Sequence, residues 1–142
     1  MPLVGGGGAP NVAGSNPSGT GTNLNYIGEH AYALSGAIAA TTTLETALQF
    51  TTGTSYMVGT LNFNGYADDD DPANRNAGNC LVSFDSQIVM LLNTGSSAQD
   101  MPTEVATKIL IPPYTNVLIQ VESSADSADQ YATVSIVGRV YA

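Results

Sequence analysis

The sequence predicts an all-β fold, an antiparallel sandwich of two sheets with about eight strands arranged as in a jelly roll. Apolar and polar residues alternate along most of the chain after residue 25, which is the pattern of strands with one buried face. Short runs rich in Gly, Pro, Asn and Ser separate these stretches. Charged residues make up only 11% of the chain, fewer than a helical domain normally carries. Two packed sheets bury the apolar faces of so many strands.

The chain of 142 residues divides into an arm and one folded domain. Residues 1–25 form a Gly- and Pro-rich extended arm, and residues 26–142 form the sandwich. Ordering four consecutive glycines costs much conformational entropy. We therefore expect contacts with a neighbouring subunit to hold the arm.

The first half of the domain contains three predicted strands. Residues 26–38 alternate as one long strand, with small residues on one face and with Gly28 and Gly36 marking bends. Residues 41–52 also fit a helical spacing, but their flanking threonines and the following turn favour a strand. Residues 56–66 place apolar side chains at alternate positions and form the third strand.

The second half contains five more predicted strands. "CLVSF" and "QIVMLL" form a hairpin that turns at Asp85 and Ser86. "TEVATKILI" ends at a corner forced by Pro112 and Pro113. "NVLIQVESS" and "YATVSIVGRVY" alternate clearly and complete the domain.

The charge of the chain excludes two classes of partner. Twelve acidic residues against Arg75, Lys108 and Arg139 give a net charge of −9. A chain without a basic stripe cannot displace counterions from phosphates, so direct nucleic-acid binding is excluded. An anionic membrane repels the chain for the same reason, and no stretch has the length and hydropathy of a membrane span.

The acidic and nucleophilic residues indicate a protein that is not an enzyme and needs no cofactor. The loop residues Asp68, Asp69, Asp70 and Asp71 are interpreted as a solvated acidic run, and the alternative is a calcium loop. His30 is the only histidine, and no nucleophile-elbow motif accompanies it, so we predict a structural or interface role for it.

The lone Cys80 cannot form an intrachain disulfide and is predicted to be a buried structural thiol. The tyrosines are either packing residues at the sandwich edges or contacts between subunits. The absence of a signal-peptide pattern predicts synthesis in the cytoplasm.

The stretches "GEHAYALSG", "ILIPPYTNVLIQV" and "VGRVYA" resemble the jelly-roll head decoration (cement) proteins of tailed bacteriophages. The resemblance covers most of the body from Tyr26 to Tyr141. It implies a virion structural protein on the outer capsid surface, a homotrimer that binds the major capsid protein and bridges capsomers. The candidate interface residues are then Leu3, Val4, Gly5, Gly6, Gly7, Gly8, Tyr26, Tyr32 and Tyr141.

A second interpretation of the same sequence is a phage or extracellular recognition module that binds a host glycan with the help of calcium at the acidic loop. The absence of Trp and of a fibre repeat disfavours it. The two interpretations differ in their dependence on calcium and in the partner that is bound.

Overall fold

The computed structural model describes residues 24–67, 77–96, 103–123 and 130–141, and these residues form an all-β structure. The predicted arm, apart from Leu24 and Asn25, and the acidic loop from Asp68 to Asp71 lie outside the described residues. The ten strands are β1 (Asn25–Ile27), β2 (His30–Leu34), β3 (Ile38–Ala39), β4 (Glu45–Thr51), β5 (Tyr56–Ala67), β6 (Ala77–Phe84), β7 (Gln87–Ser96), β8 (Thr103–Ile111), β9 (Asn116–Ser123) and β10 (Gln130–Tyr141).

The strands pair as a nested series, which confirms the jelly-roll prediction. β6 pairs with β7, β5 with β8, β4 with β9, and β2 and β3 with β10, all antiparallel. Successive pairs of this series alternate between two sheets. The first sheet has the order β1-β2-β10-β5-β8, with β3 also on β10, and the second sheet has the order β4-β9-β6-β7. A long antiparallel hairpin rolled up in this way is the topology of a jelly roll.

The inward-facing residues of both sheets form one hydrophobic core. The alternation predicted from the sequence holds along β5, β9 and β10, where every second side chain is buried. Burying a large aliphatic or aromatic side chain stabilises a fold by about 1.5–3 kcal/mol, so these positions dominate the stability. The largest fully buried side chains are Phe63, Leu48, Met57, Leu61, Ile111, Ile119, Ile136, Val82, Val117, Val121, Val134 and Cys80.

The predicted first strand is in fact three short strands, which accounts for ten strands rather than eight. Gly28 has a φ of 62° and begins the two-residue turn between β1 and β2. A positive φ at the first central position is the geometry of a type II′ hairpin turn, which requires glycine there. Gly36, with a φ of 71°, separates β2 from β3. The small residues Ala31 and Ala33 face the core and are fully buried.

The predicted hairpin turn at Asp85 and Ser86 is confirmed, and it is tied to the next strand of its sheet. Both residues have positive φ, 48° and 70°, as a type I′ turn requires. Asn116 N donates a hydrogen bond to the Asp85 carboxylate at 2.9 Å, and Asp85 N donates to the Asn116 carbonyl at 2.9 Å. These two bonds fix the end of the β6–β7 hairpin against β9.

Two glycines face each other at the centre of the first sheet. Gly59 of β5 lies opposite Gly138 of β10 in the register of the ladder. A Cβ on Gly59 would lie 2.6 Å from the Val137 carbonyl oxygen and 3.0 Å from Gly138 Cα. A Cβ on Gly138 would lie 2.6 Å from Gly59 Cα, so neither position has room for a side chain.

We expect Gly138→Ala to lower the free energy of unfolding by roughly 1–3 kcal/mol, because the added methyl meets backbone that cannot rotate away. Urea denaturation of the two proteins measures the difference. Gly65→Ala is the matched control, because the atoms nearest to its methyl would belong to the Thr94 side chain, at 3.2 Å and beyond, and not to backbone. If Gly138→Ala lowers the free energy of unfolding by no more than Gly65→Ala does, the close approach of the β5 and β10 backbones is contradicted.

Candidate functional site

The outer side of the first sheet is apolar over a contiguous area that we call the aromatic face. Outward positions of an antiparallel sandwich are usually polar because they meet water. Here Val58 lies beside Leu110 of β8, and the next outward row brings Val137 beside Tyr32 of β2. The apolar side chains of the aromatic face are Tyr32, Leu34, Tyr56, Val58, Leu110, Val137 and Tyr141.

Tyr56 and Tyr141 stack at one end of the aromatic face. They are opposite each other in the ladder, with ring centroids 5.3 Å apart and planes inclined by 17°. Arg139 Cζ lies 5.6 Å from the Tyr141 ring centroid, and the Arg139 guanidinium also pairs with the Glu29 carboxylate. Such an exposed ion pair adds little stability, but together with the ring it fixes the position of the guanidinium.

The aromatic face also carries positive charge. Both cations that the structure describes, Lys108 and Arg139, lie on it. Lys108 is opposite Thr60, and Thr60 is opposite Val137, so the ammonium borders the apolar row. Within the described ranges no carboxylate lies within ion-pair distance of Lys108.

His30 is exposed on the same face, opposite Arg139 in the ladder. The neighbouring Glu29 forms its ion pair with Arg139. His30 therefore lies at the surface of the aromatic face, where it can contact a partner, and its role as an interface residue stays a prediction.

The second sheet carries a separate apolar area on its outer side, which we call the leucine face. Leu81 of β6 lies opposite Leu91 of β7, which is 68% exposed. The register shifts between Val82 and Ser83, so that β7 has one extra residue there, and both Ile88 and Val89 are exposed. The leucine face consists of Leu81, Ile88, Val89, Leu91 and Leu118.

A polar row borders the leucine face and crosses three strands. Asn93 Nδ2 donates to Asn79 Oδ1 at 2.5 Å, and Asn79 Nδ2 donates to Glu122 Oε1 at 3.2 Å. Together with Leu81 and Leu91 these side chains line a shallow pocket of about 310 Å³. The pocket has apolar walls and one carboxylate, so it fits an amphipathic or cationic side chain.

Tyr114 protrudes from the corner between β8 and β9. It is 70% exposed and has a φ of 55°, which is strained for a residue with a side chain. The corner is held rigidly, because Tyr114 N donates to the Gly53 carbonyl at 2.9 Å and Thr115 N donates to Thr52 Oγ1 at 2.8 Å. An exposed aromatic ring on a fixed backbone is suited to anchoring a partner.

The structure separates the three predicted interface tyrosines. Tyr32 and Tyr141 belong to the aromatic face, but Tyr26 is only 4% exposed and belongs to the core. The role of Tyr26 at an interface stays a prediction, as do those of Tyr32 and Tyr141. Burial raises the pKa of the Tyr26 hydroxyl to about 12, and among the described residues this hydroxyl has no hydrogen-bond partner. The arm residues from Leu3 to Gly8 lie outside the described residues.

Cys80 is fully buried, as predicted, and burial raises the pKa of its thiol to about 12. Among the described residues no three His, Cys, Asp or Glu side chains are grouped to hold a metal ion. The acidic loop, for which calcium binding was the alternative interpretation, falls outside those residues. In the same ranges the structure has no helix that is long and apolar enough to cross a membrane.

The leucine face was not among the sequence predictions, and Tyr114 was considered only with the other tyrosines, as a subunit contact or a packing residue at the sandwich edge. The sequence signal for the leucine face is the run "QIVMLL". Successive side chains of a strand point to opposite sides of the sheet, so an unbroken apolar run leaves apolar side chains exposed unless both sides of the sheet are covered. Pro112 and Pro113 predict a corner. No glycine follows them, so the positive φ of this corner falls on Tyr114, a residue with a side chain, and its backbone is strained.

Comparison with protein-family models and with curated protein sequences finds no match to this chain.

We expect alkaline pH to destabilise the fold through Cys80 and Tyr26. Both pKa values are raised in the folded state, to about 12 from ordinary values of 9.0 and 10.0, because burial disfavours the anions. The stability is therefore complete below pH 9 and falls as the pH rises towards 12. Urea denaturation at pH 7, 9 and 10.5 measures the fall, and a Cys80→Ala variant should show less of it. A stability that stays constant to pH 10.5 would be the opposite result.

We expect Tyr114→Gly to stabilise the chain by about 1 kcal/mol, because glycine adopts the positive φ without strain. Tyr114→Ala is the matched control, since it removes the same ring and keeps a Cβ in the strained conformation. Thermal and urea denaturation of the three proteins give the comparison. Equal stabilities of the Gly and Ala variants would show that the backbone at this corner is not strained.

Proposed function

We propose that this chain is a structural protein of a bacteriophage virion, which decorates the outer surface of the capsid and stabilises it by bridging capsomers as a homotrimer. The observation that carries the proposal is the pair of apolar surfaces on opposite sheets of one jelly roll. The aromatic face and the leucine face are separated by the core, so two different protein neighbours can be bound at once.

A bridging subunit acts mechanically, and its features fit that task. It needs at least two contact surfaces and a body that does not deform between them. The core is continuous across both sheets, and protein interiors are densely packed and transmit strain. Several modest contacts repeated around a symmetry axis add up to tight binding.

The arm supplies a further contact in this proposal. The arm residues proposed for this contact are Leu3, Val4, Gly5, Gly6, Gly7 and Gly8, and a glycine run without side chains is suited to a close approach to a partner. The contacts on the capsid offset the entropy of ordering the arm. The net charge of −9 keeps such a coat protein away from nucleic acid. No cofactor and no catalytic step is part of this function.

The exposed Tyr114 favours a second candidate function, a recognition module that binds a host glycan. A fixed, exposed aromatic ring can pack against the apolar face of a sugar ring. In this alternative the acidic loop with Asp68, Asp69, Asp70 and Asp71 binds calcium and assists recognition. The jelly roll itself is compatible with both functions, because it occurs in capsid and lectin domains alike.

The test adds the purified protein to empty capsids assembled from the major capsid protein of the same virus. We expect saturable co-sedimentation, three copies at each three-fold position, and capsids that open at a higher temperature once decorated, because a ligand that binds only the closed state stabilises it. A chain that begins at Leu24 keeps the described domain and is expected to bind at least tenfold more weakly.

Two controls separate the candidate functions. Chelation of calcium should leave the affinity for capsids unchanged. The Tyr114→Ala variant should bind capsids with an affinity within about threefold of that of the original protein. Absence of capsid binding, together with sugar binding that Tyr114→Ala or a chelator abolishes, would overturn the decoration function in favour of the recognition module. Undiminished capsid binding by the chain that begins at Leu24 would show that the arm makes no contact.

A further inference from the structure

We propose that copies of this chain associate head to tail, with the aromatic face of one copy packed on the leucine face of the next. The proposal goes beyond the proposed function, because it makes a second copy of the chain the neighbour of each face and depends neither on the capsid nor on a closed trimer. It identifies the second copy as the occupant of both faces, and it predicts which side chains meet.

Both faces carry apolar side chains that water solvates poorly. Leu110 and Val137 are 57% and 51% exposed on the aromatic face, and Leu91 and Ile88 are 68% and 58% exposed on the leucine face. Contiguous apolar surface of this kind marks interaction sites. Because the two faces lie on opposite sheets, one copy can use both of them simultaneously.

Charge decides which face meets which. On the aromatic face Lys108 has no acidic partner among the described residues, whereas the leucine face is bordered by Glu122 and by Asp85 in the β6–β7 turn. None of the described Lys or Arg residues lies on the leucine face. Packing unlike faces brings Lys108 towards Glu122 and gives a favourable pair at the edge of the contact.

Packing like faces is disfavoured by the same charges. Two aromatic faces would bring two Lys108 side chains into one contact without an acidic partner, and two leucine faces would bring two Glu122 side chains into one contact without a cation. Each copy also carries a net charge of −9, so any association works against a long-range repulsion. The head-to-tail contact is the arrangement that offsets part of this repulsion locally.

The pocket beside the leucine face supplies a recess for the incoming side chains. Its walls include Leu81 and Leu91, and Glu122 stands at its edge with one oxygen already accepting from Asn79. A carboxylate has further lone pairs to accept from an ammonium. The long apolar stem of Lys108 matches the apolar walls while its ammonium reaches Glu122.

A head-to-tail contact has a consequence for symmetry. It uses different surfaces on the two partners, so it repeats until a ring closes or a filament grows. Because the two faces lie on opposite sides of one sandwich, the contact repeats along one direction and gives an open stack of copies. Such a stack keeps one aromatic face and one leucine face free, at its two ends.

The experiment measures the oligomeric state of the full chain by sedimentation velocity over a range of concentrations. Single variants Lys108→Glu and Glu122→Lys are each expected to weaken association at least tenfold, because each places like charges together. The double variant carries the two opposite charges in exchanged positions. Its association constant is expected to lie within about threefold of that of the original protein. Glu104→Lys makes the same change of net charge as Glu122→Lys, away from the apolar row, and is the control for that variant.

A second pair of variants tests the apolar contact without touching the hydrogen bond between Asn79 and Glu122. Leu91→Ser is expected to weaken association at least tenfold, and Leu44→Ser, at an apolar residue exposed outside both faces, is expected to leave it unchanged. Circular dichroism and thermal denaturation confirm that each variant is folded.

The outcomes distinguish this inference from the proposed function. A chain that is monomeric at all concentrations, or a double variant that is no better than the single ones, would overturn the head-to-tail contact. Self-association with the expected rescue, in a protein that fails to bind capsids, would support the contact and count against the decoration function. Capsid binding by a protein that stays monomeric would support the decoration function and overturn the head-to-tail contact.

Discussion

The antiparallel pairing of β5 with β10 is the constraint on which the rest of the structure depends. The two strands pair over their whole length, from Tyr56 opposite Tyr141 to Ala67 opposite Gln130. A slip of one residue would turn every core side chain of a strand outward. The facing glycines, Gly59 and Gly138, oppose such a slip, because at this close approach any other residue would bring a Cβ against the partner backbone. The same register that buries the core also lines up the outward residues, so the aromatic face is a direct consequence of it.

The two apolar faces place this fold under opposing requirements. A free subunit must stay soluble while it exposes side chains that favour association, and its high negative charge supplies the repulsion that keeps copies apart. The edge strand β7 adds to this protection. Its register on β6 shifts twice, and such bulges twist an edge away from the regular geometry that another strand needs for pairing. The apolar side chains of β7 are thus available to a specific face, while its backbone is poorly suited to indiscriminate strand addition.

Much of the fold could be predicted from the sequence, because alternation reports directly on burial wherever a strand is regular. β9 shows this clearly, with Val117, Ile119 and Val121 fully buried as their spacing indicates. The prediction was wrong where a single residue shifts the alternation of inward and outward side chains. The turn at Gly28 divides what reads as one strand, and the extra residue in β7 at Val89 exposes apolar positions that periodicity assigns to the core. The candidate faces were harder still to predict. They depend on which strands become neighbours, and Leu110 meets Val58 only through a pairing that no local pattern encodes.

The strain at Tyr114 shows how the fold supports a surface feature that is unfavourable by itself. A positive φ at a residue with a side chain costs on the order of 1–3 kcal/mol, and it persists only where the surroundings fix the backbone. Here the surroundings are the buried hydroxyl of Thr52, which accepts from Thr115 N and donates to the Pro112 carbonyl at 2.7 Å. Thr52 and Thr115 are almost fully buried, so this network is shielded from competing water. An exposed side chain on such a corner loses little further freedom when a partner covers it, because its backbone is already ordered. The cost of the strained backbone at Tyr114 is therefore met during folding, and no further ordering of that backbone is needed when a partner covers the ring.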